Sequence, residues 1–322
     1  MNRFEWVAAA SVDDALAQLA SGAVAKAGGI DLLDRMKEGT LAPGRVVNLR
    51  AVAELDGIAP EQEGLRIGPL VTLAQIAASP EIRRRWPALA EAAGRAATPQ
   101  IRNAATLGGN LLQRPRCWYF RGAQFRCHKK GGDQCFGIPG ENRYHALFGN
   151  DVCAAVHPSA AAVPLMAYGA RLEIANAKGR RQVPIEEFFV PPDRDLAREN
   201  VLADGELLTA IRLAAPVKNA RSAYVKQAEK ESFDWPLADA AAVLELDGRT
   251  IRRASLVLGA AAAVPLRARR AEEFLRGKKI GEATAREAAR IAMDGATPLE
   301  KNEYKIAIFH AVIARALVAA AG

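Results

Sequence analysis

Residues 26–33 read Lys-Ala-Gly-Gly-Ile-Asp-Leu-Leu, and this stretch decides how the first part of the chain folds. The residues at 24–27 predict a short strand, and the LLDRMK pattern after Asp31 predicts a helix. Two glycines between them allow positive φ angles and turn consecutive N–H groups toward an anion, to which the helix N-terminus adds partial positive charge. The stretch therefore predicts a cradle for a diphosphate, or else a tight turn with Asp31 as the helix cap.

A second stretch of the same character lies at 105–110, Ala-Thr-Leu-Gly-Gly-Asn. Its glycines allow close approach to the backbone, and the Thr106 hydroxyl and the Asn110 amide can bind phosphate or ribose oxygens. No G-x-G-x-x-G follows a strand, so a Rossmann dinucleotide site is not expected. Two such cradles, without a P-loop or a catalytic triad, indicate one long diphosphate ligand held between separate segments.

Working outward, strand and helix patterns alternate up to LAAPVKNA, where a domain boundary is placed near Pro216. Beyond it, residues 240–258 predict a hairpin around Asp247-Gly248, and helical patterns follow Pro265. The expected class is α+β, with one domain at 1–216 and a second at 217–322.

Composition narrows the classes of function. The 322 residues are 50% hydrophobic and 25% charged, so the chain can bury real cores. The net charge is +8, but the basic residues are scattered and aromatic residues make up 6%, so nucleic-acid binding is not expected. No apolar stretch is expected to span a membrane. The N-terminus lacks a signal-like apolar region, which makes the cytoplasm the default compartment.

All four cysteines (Cys117, Cys127, Cys135 and Cys153) lie in or next to a stretch at 113–151 that lacks helical or strand periodicity. Four thiolates can hold a [4Fe–4S] cluster or a zinc ion. Paired C-x-x-C knuckles, typical of zinc ribbons, are absent from the sequence. Disulfides and free thiols complete the alternatives that spacing leaves open.

Five motifs in order carry a family resemblance: AGGIDLL at 27–33, RNAATLGGNL at 102–111, HPSAAAVPLMA at 157–167, KQAEKESFDWPLADAAA at 226–242 and NEYKIAIFHAVIARAL at 302–317. Together they resemble the FAD-binding medium subunit of the molybdenum hydroxylases, which include xanthine dehydrogenase, aldehyde oxidoreductase and carbon monoxide dehydrogenase. The cysteine loop at 113–153 resembles the branch with an extra [4Fe–4S] cluster, as in periplasmic aromatic aldehyde oxidoreductases. The flavin subunit of 4-hydroxybenzoyl-CoA reductase is the main alternative.

The resemblance implies a two-lobed FAD-binding domain of the p-cresol methylhydroxylase type, followed by a small sheet-plus-helices domain of the carbon monoxide dehydrogenase flavoprotein type. Lys226 matches a family lysine near the flavin, where positive charge would stabilise the reduced ring. Cys117, Cys127, Cys135 and Cys153 would ligate the cluster. The implied FAD-binding residues are Lys26, Ala27, Gly28, Gly29, Ile30, Asp31, Leu32, Leu33, Thr106, Gly109, Asn110, Ser159 and Lys226.

The implied role is that of an electron-transfer subunit in a heterotrimer. A large molybdenum-cofactor subunit would oxidise an aldehyde, and a small [2Fe–2S] subunit would pass the electrons to this chain. Oxygen, a ferredoxin or a quinone-linked carrier would be the external acceptor. The resemblance also admits a periplasmic location, reached with a partner that carries a twin-arginine signal. The alternative from another class is a zinc-stabilised nucleotide-binding module without redox activity.

Two positions depart from the family pattern. The family reads Gly-Gly-Thr where this chain has Ile30, which removes a hydroxyl. The family's Ser-Asp pair is Ser159-Ala160 here, which removes a carboxylate that would accept hydrogen bonds from the ligand. The loss of such an acceptor costs roughly 1 kcal/mol if its partner stays unsatisfied. We therefore expect FAD to bind, with reduced affinity.

Overall fold

A computed structural model describes residues 1–62, 64–230 and 233–322, so Glu231 and Ser232 of the fourth motif lie outside the described residues. The strands are β1 (Glu5–Ala8), β2 (Val24–Lys26), β3 (Arg45–Asn48), β4 (Ile58–Glu61), β5 (Gly64–Ile67), β6 (Arg171–Asn176), β7 (Gly179–Pro184), β8 (Leu207–Ala214), β9 (Ala220–Gln227), β10 (Ala238–Asp247), β11 (Thr250–Gly259) and β12 (Leu266–Arg267). The helices are α1 (Val12–Leu19), α2 (Ile30–Lys37), α3 (Leu73–Ala78), α4 (Pro80–Arg85), α5 (Pro87–Gly94), α6 (Pro99–Ala104), α7 (Leu107–Leu111), α8 (Trp118–Arg121), α9 (Ala162–Ala167), α10 (Ile185–Phe188), α11 (Arg269–Leu275), α12 (Glu282–Ala292) and α13 (Tyr304–Ala321).

The first lobe is a parallel sheet of β1, β3 and β2, in that order. Ser11 caps α1 by accepting the Asp14 N–H at 3.1 Å. The apolar side of α1 places Ala15, Leu16 and Leu19 in a small core against β3. This lobe contains the first glycine stretch, which lies between the end of β2 and the start of α2.

The second lobe is built on an antiparallel sheet with the strand order β4-β5-β8-β6-β7. Helices α3, α5 and α9 pack with it around a core that contains the fully buried Trp86 and Phe188. Thr72 starts α3 with a complete capping box formed with Gln75. This lobe carries the second glycine stretch, next to Thr72, where an isolated bridge pairs Thr72 with Thr106.

The C-terminal part is an antiparallel sheet in the order β12-β11-β10-β9. The predicted hairpin is confirmed: Asp247 pairs with Thr250, and Gly248 in the turn has φ +58°. The long helix α13 lays Phe309 and Leu317 on this sheet. The class is α+β, as expected.

Helix α13 corrects one expectation. By length and composition Tyr304–Ala321 is apolar enough to cross a membrane, although no stretch was expected to be. The reason for its apolar character lies in its packing, because Phe309, Ile313 and Leu317 are completely buried against the sheet of β9 and β10.

The cysteine loop forms only the short helix α8 and one 3-10 turn, and otherwise runs without regular structure. It touches both parts of the molecule. The Arg114 N–H donates to Asp31 Oδ2 at 3.1 Å in the first lobe, and the Leu147 N–H donates to the Ala261 carbonyl at 2.8 Å beyond β11. The cysteine loop therefore forms hydrogen bonds both with the first lobe and with the segment after β11.

Candidate FAD site

The first glycine stretch forms the turn that its sequence predicts. Gly29 has φ +83°, a left-handed conformation, and directly precedes α2. Its carbonyl accepts the Leu33 N–H at 3.0 Å, which starts the helix. Gly29 is the N-cap of α2, and no side chain of the described residues caps this helix, so the alternative in which Asp31 is the cap is wrong. The turn thus leaves the first N–H groups of the helix available.

The remaining residues of this stretch line the turn on two sides. Ala27, Leu32 and Leu33 are half-buried, whereas Ile30 is exposed. Lys26 ends β2, and its Nζ donates to Asn48 Oδ1 at 3.3 Å and lies 5.3 Å from the centre of the Trp6 ring. Burial, and secondarily the Arg50 charge, lowers the pKa of Lys26.

The second glycine stretch is fixed by hydrogen bonds that its backbone N–H groups donate. Thr106 Oγ1 accepts the Gly109 N–H at 3.1 Å and begins α7. The Gly108 N–H donates to the Pro69 carbonyl at 2.8 Å, and a Cβ at Gly108 would lie 2.7 Å from the Pro69 Cβ. Close packing on Pro69 therefore explains Gly108, whereas Gly109 is only half-buried.

The two stretches meet in space, although they are far apart in sequence. A Cβ on Gly28 would overlap the carbonyl oxygen of Ala104 and lie 3.3 Å from the Ala105 Cα. Only a glycine at position 28 lets the first stretch lie directly against Ala104 and Ala105, which lead into the second stretch. One extended diphosphate ligand can therefore contact both stretches, which is the fit that FAD requires.

Ser159 belongs to the same site. Its Oγ donates to Asn110 Oδ1 at 2.7 Å, and that oxygen also accepts the Ala161 N–H at 3.2 Å. These bonds fix the orientation of the Asn110 amide, whose nitrogen is left for a ligand. Ala160 lies between them, where the family carboxylate is missing.

Lys226 lies on β9, and its Nζ donates to the Asp234 carbonyl at 2.5 Å and the Arg95 carbonyl at 3.1 Å. Burial lowers its pKa, partly offset by the Asp239 charge. Arg95 follows α5 on the path to α6 and the second stretch, so Lys226 connects to the site through this segment. One of these carbonyls belongs to the segment after α5, and the other belongs to the connection between β9 and β10.

Sequence reasoning missed the partners of Asp31. Arg116 and Arg121, from the start of the cysteine loop, bond Asp31 Oδ1 at 3.2 Å and 2.5 Å. Asn48 and Trp6, which hold Lys26, were missed as well. No local pattern marks such residues, since each pairs across long sequence separations.

The four cysteines line one cavity of about 10 Å³, which is close to the volume of one water position. Burial raises the pKa of Cys117 to about 11, and its Sγ lies 3.3 Å from His145 Nε2. A hydrogen bond with Cys153 lowers the pKa of Cys135 to about 5, and the same bond raises the pKa of Cys153. The thiols therefore differ strongly in their tendency to ionise.

The two parts of the chain match two known families of domains. Residues 2–216 match the FAD binding domain in molybdopterin dehydrogenase. Residues 223–320 match the carbon monoxide dehydrogenase flavoprotein C-terminal domain. The chain therefore belongs to the family of FAD-binding subunits of the molybdenum hydroxylases and is an oxidoreductase subunit, which confirms the predicted family and fold class.

Individual relatives agree with this assignment. The FAD-binding subunit PaoB of an Escherichia coli (strain K12) aldehyde oxidoreductase is 36% identical over 72% of this chain and 74% of PaoB. The carbon monoxide dehydrogenase medium chain of Hydrogenophaga pseudoflava is 30% identical over 99% of this chain and 97% of its own.

Solved structures give the same result. Carbon monoxide dehydrogenase from Hydrogenophaga pseudoflava superposes with a TM-score of 0.78 at 30% identity, covering 99% of this chain and 97% of that one. Quinoline 2-oxidoreductase from Pseudomonas putida 86 superposes with a TM-score of 0.78 at 25% identity, with the same coverage.

The predicted [4Fe–4S] cluster is contradicted by these findings. Within 1–62, 64–230 and 233–322, no three His, Cys, Asp or Glu side chains are arranged to hold a metal ion. The matching domains are described by FAD and flavoprotein alone. We therefore assign FAD as the cofactor and no cluster to Cys117, Cys127, Cys135 and Cys153.

Proposed function

We propose that this chain is the FAD-binding electron-transfer subunit of a molybdenum-dependent aldehyde oxidoreductase. In the proposed complex it receives electrons from a large molybdenum-cofactor subunit through a small [2Fe–2S] subunit, and it delivers them to an external acceptor. The similarity to PaoB supports the aldehyde as the substrate class. The observation that carries the cofactor part is the contact between the two glycine stretches, Gly28 against Ala104.

In this proposal each segment of the site has its own task. The N–H groups at the start of α2, after Gly29, bind the diphosphate, because a helix N-terminus offers free donors and partial positive charge. Thr106, Gly109 and Asn110 bind further along the same ligand, and Ser159 holds the Asn110 amide in place. Lys26 adds a positive charge at the end of β2.

FAD supplies a centre that accepts two electrons together and can release them singly. Lys226 is the residue we assign to the flavin ring. Its Nζ is positioned by the carbonyls of Arg95 and Asp234, so its charge is held in place before the ligand arrives. A fixed positive charge stabilises an anionic reduced ring.

The cofactor site is tested by the variant Gly28→Ala. Its new methyl group would overlap the Ala104 carbonyl and force the two stretches apart. We expect FAD affinity to fall by about tenfold or more, equivalent to roughly 1.4 kcal/mol. Bound flavin is measured by absorbance after gel filtration and by titration of the apoprotein.

The matched control is Gly44→Ala, since a Cβ at Gly44 would meet no atom within 4 Å. A milder probe is Gly109→Ala, where the Cβ would lie 3.1 Å from Thr106 Oγ1. If Gly28→Ala bound FAD as tightly as Gly44→Ala, the site would be elsewhere. Loss of folding in Gly28→Ala would leave the decision to Gly109→Ala, which we expect to weaken FAD binding severalfold.

The substrate class is tested on the assembled complex. The chain is co-expressed with the large and small subunits of the proposed complex, and reduction of a dye is followed with aromatic aldehydes, xanthine and carbon monoxide. Turnover with aldehydes supports the proposal. Turnover with xanthine or carbon monoxide alone would replace the aldehyde with that substrate and leave the role of the subunit unchanged.

A further inference from the structure

The acidic face of α2 is covered by arginines from the cysteine loop. Asp31, Asp34 and Glu38 recur at helical spacing and lie along one side of the helix. Arg116 bonds Asp31 at 3.2 Å and Asp34 at 3.1 Å. Arg121 bonds Asp31 at 2.5 Å and Glu38 at 3.3 Å. Two loop arginines therefore pair with three carboxylates.

Asp31 is the central acceptor of this arrangement. It is the second residue of α2, directly at the end that we assign to the diphosphate. Its Oδ1 accepts from both arginines, and its Oδ2 accepts the Arg114 N–H at 3.1 Å. The side chain is only 14% exposed, so water screens it little. An unpaired carboxylate here would repel a diphosphate at the same helix end.

Other charges surround the pair. Arg35, on the same helix, faces the same cluster, and burial, together with the Arg114 charge, lowers its pKa. Arg114 and Lys129 both pair with Glu199, the latter at 2.9 Å. These further pairs use Glu199, so the cations that face Asp31 are Arg35, Arg116 and Arg121. The latter two bond its carboxylate directly.

The loop also reaches the C-terminal part at this point. The Arg116 guanidinium lies 5.3 Å from the centre of the exposed Trp235 ring. Arg121 is 9% exposed, and its guanidinium lies 5.8 Å from the centre of the Phe120 ring within the loop. Its other bonds go to the carbonyls of Pro115 and Arg114. Arg121 is therefore the cleaner position for a test.

We infer that Arg116 and Arg121 are positioning residues for the cofactor: they neutralise Asp31 and turn its carboxylate toward the loop, so that the N-terminus of α2 can bind the FAD diphosphate. This inference rests on the proposed function. It gives the cysteine loop a task in flavin binding that needs no metal, since the loop carries the counter-charges for the first glycine stretch.

The test is a double-mutant cycle on the full chain, with FAD titrated into the apoprotein at low ionic strength. Arg121→Gln should weaken FAD binding by about tenfold, since it exposes part of the Asp31 charge to the diphosphate. Adding Asp31→Asn in the same chain should restore affinity to within about twofold of the parent, because the repelling charge is then absent. Added salt should shrink the Arg121→Gln effect.

The matched control is Arg84→Gln, which removes an arginine from an exposed helical ion pair with Glu81 on α4. If Asp31→Asn fails to rescue Arg121→Gln, the arginine acts only by holding the loop and the inference is wrong. The single variant Asp31→Asn decides independently of loop folding. It should bind FAD more tightly than the parent, because the arginines then face the diphosphate without the opposing carboxylate. A tenfold loss would mean that the carboxylate binds the ligand directly, as the family resemblance implies.

The two proposals fail in different ways. If Gly28→Ala and Gly44→Ala bind FAD equally, the assigned cradle is wrong and the inference falls with it. If Gly28→Ala loses FAD while Arg121→Gln matches Arg84→Gln, the cradle stands and only the role of the arginines is refuted.

Discussion

Asp239 provides the sharpest test of the energetics of the C-terminal sheet. It lies on β10, 1% exposed, and its Oδ2 accepts the Tyr224 hydroxyl at 2.8 Å. Its Oδ1 has no hydrogen-bond partner among the described residues and points at Gly259, where a Cβ would overlap it. Burial raises the pKa of Asp239 to about 6, although the Tyr224 bond and the Lys226 and Lys305 charges oppose the rise.

The direction in which Asp239 changes folding stability with pH follows from proton uptake by the folded and unfolded chains. Below the ordinary pKa of 3.8 both the folded and unfolded chains hold the proton, so nothing is lost. Between 3.8 and about 6 the unfolded chain releases it first, so stability falls as pH rises. Above the folded pKa the full cost remains, about 3 kcal/mol at about 1.4 kcal/mol per pKa unit.

The perturbation is Asp239→Asn, which keeps the shape and removes the charge. Its amide can still accept from Tyr224, but its N–H is left without an acceptor, at about 1 kcal/mol. We therefore expect the variant to be about 2 kcal/mol more stable than the parent near neutral pH. The advantage should shrink by about 2 kcal/mol between about pH 7.5 and about pH 4.5.

The assay is urea unfolding of the apoprotein, followed by tryptophan fluorescence at several pH values. The control is Asp247→Asn at the end of the same strand, where the side chain is 64% exposed and paired with Arg252. That variant should stay within about 0.5 kcal/mol of the parent at every pH. A stability difference for Asp239→Asn that did not change with pH would refute the reasoning, since it would mean that the buried carboxylate is fully compensated.

Two further predictions concern the cofactor. Lys226→Met should keep FAD bound and lower its two-electron potential by about 30 mV, equivalent to about 1.4 kcal/mol, because a fixed positive charge is lost. Dye-linked potentiometry measures this, and an unchanged potential would place Lys226 away from the ring. Iron and flavin quantified on one purified sample should give FAD with far less than the four irons per chain that a [4Fe–4S] cluster contains. About four irons per chain would show that the four cysteines do hold a cluster.

Local patterns in the sequence were reliable where short-range physics decides. The turn at Gly29 before α2 and the hairpin turn at Gly248 each depend on neighbouring residues, and the structure has them. Short helices such as α4 and α6 were missed because a turn or two offers too little periodicity to detect.

In the candidate site, too, the local parts could be predicted from the sequence and the long-range contacts could not. Both glycine stretches could be found, since each combines a strand or helix boundary with residues that only a close backbone approach explains. Their contact could not, because Gly28 and Ala104 meet through the packing of two lobes. The arginine partners of Asp31 are likewise set by the path of an irregular loop.

The cysteine loop shows where pattern misleads. Four clustered cysteines indicate a metal site by count and chemistry, and the chain does bring them around one cavity. Spacing does not describe how the four side chains are arranged in space, and among the described residues no three His, Cys, Asp or Glu side chains are arranged to hold a metal ion.

The sequence by itself determined the family, the α+β class and the two glycine stretches, because ordered motifs and local backbone preferences are written in consecutive residues. Only the tertiary structure decided that the two stretches lie in contact and that Asp31 pairs with arginines and is not a helix cap. It also decided that Asp239 is buried with one oxygen unpaired among the described residues. Those features depend on distances between residues far apart in the chain, and long-range packing sets such distances.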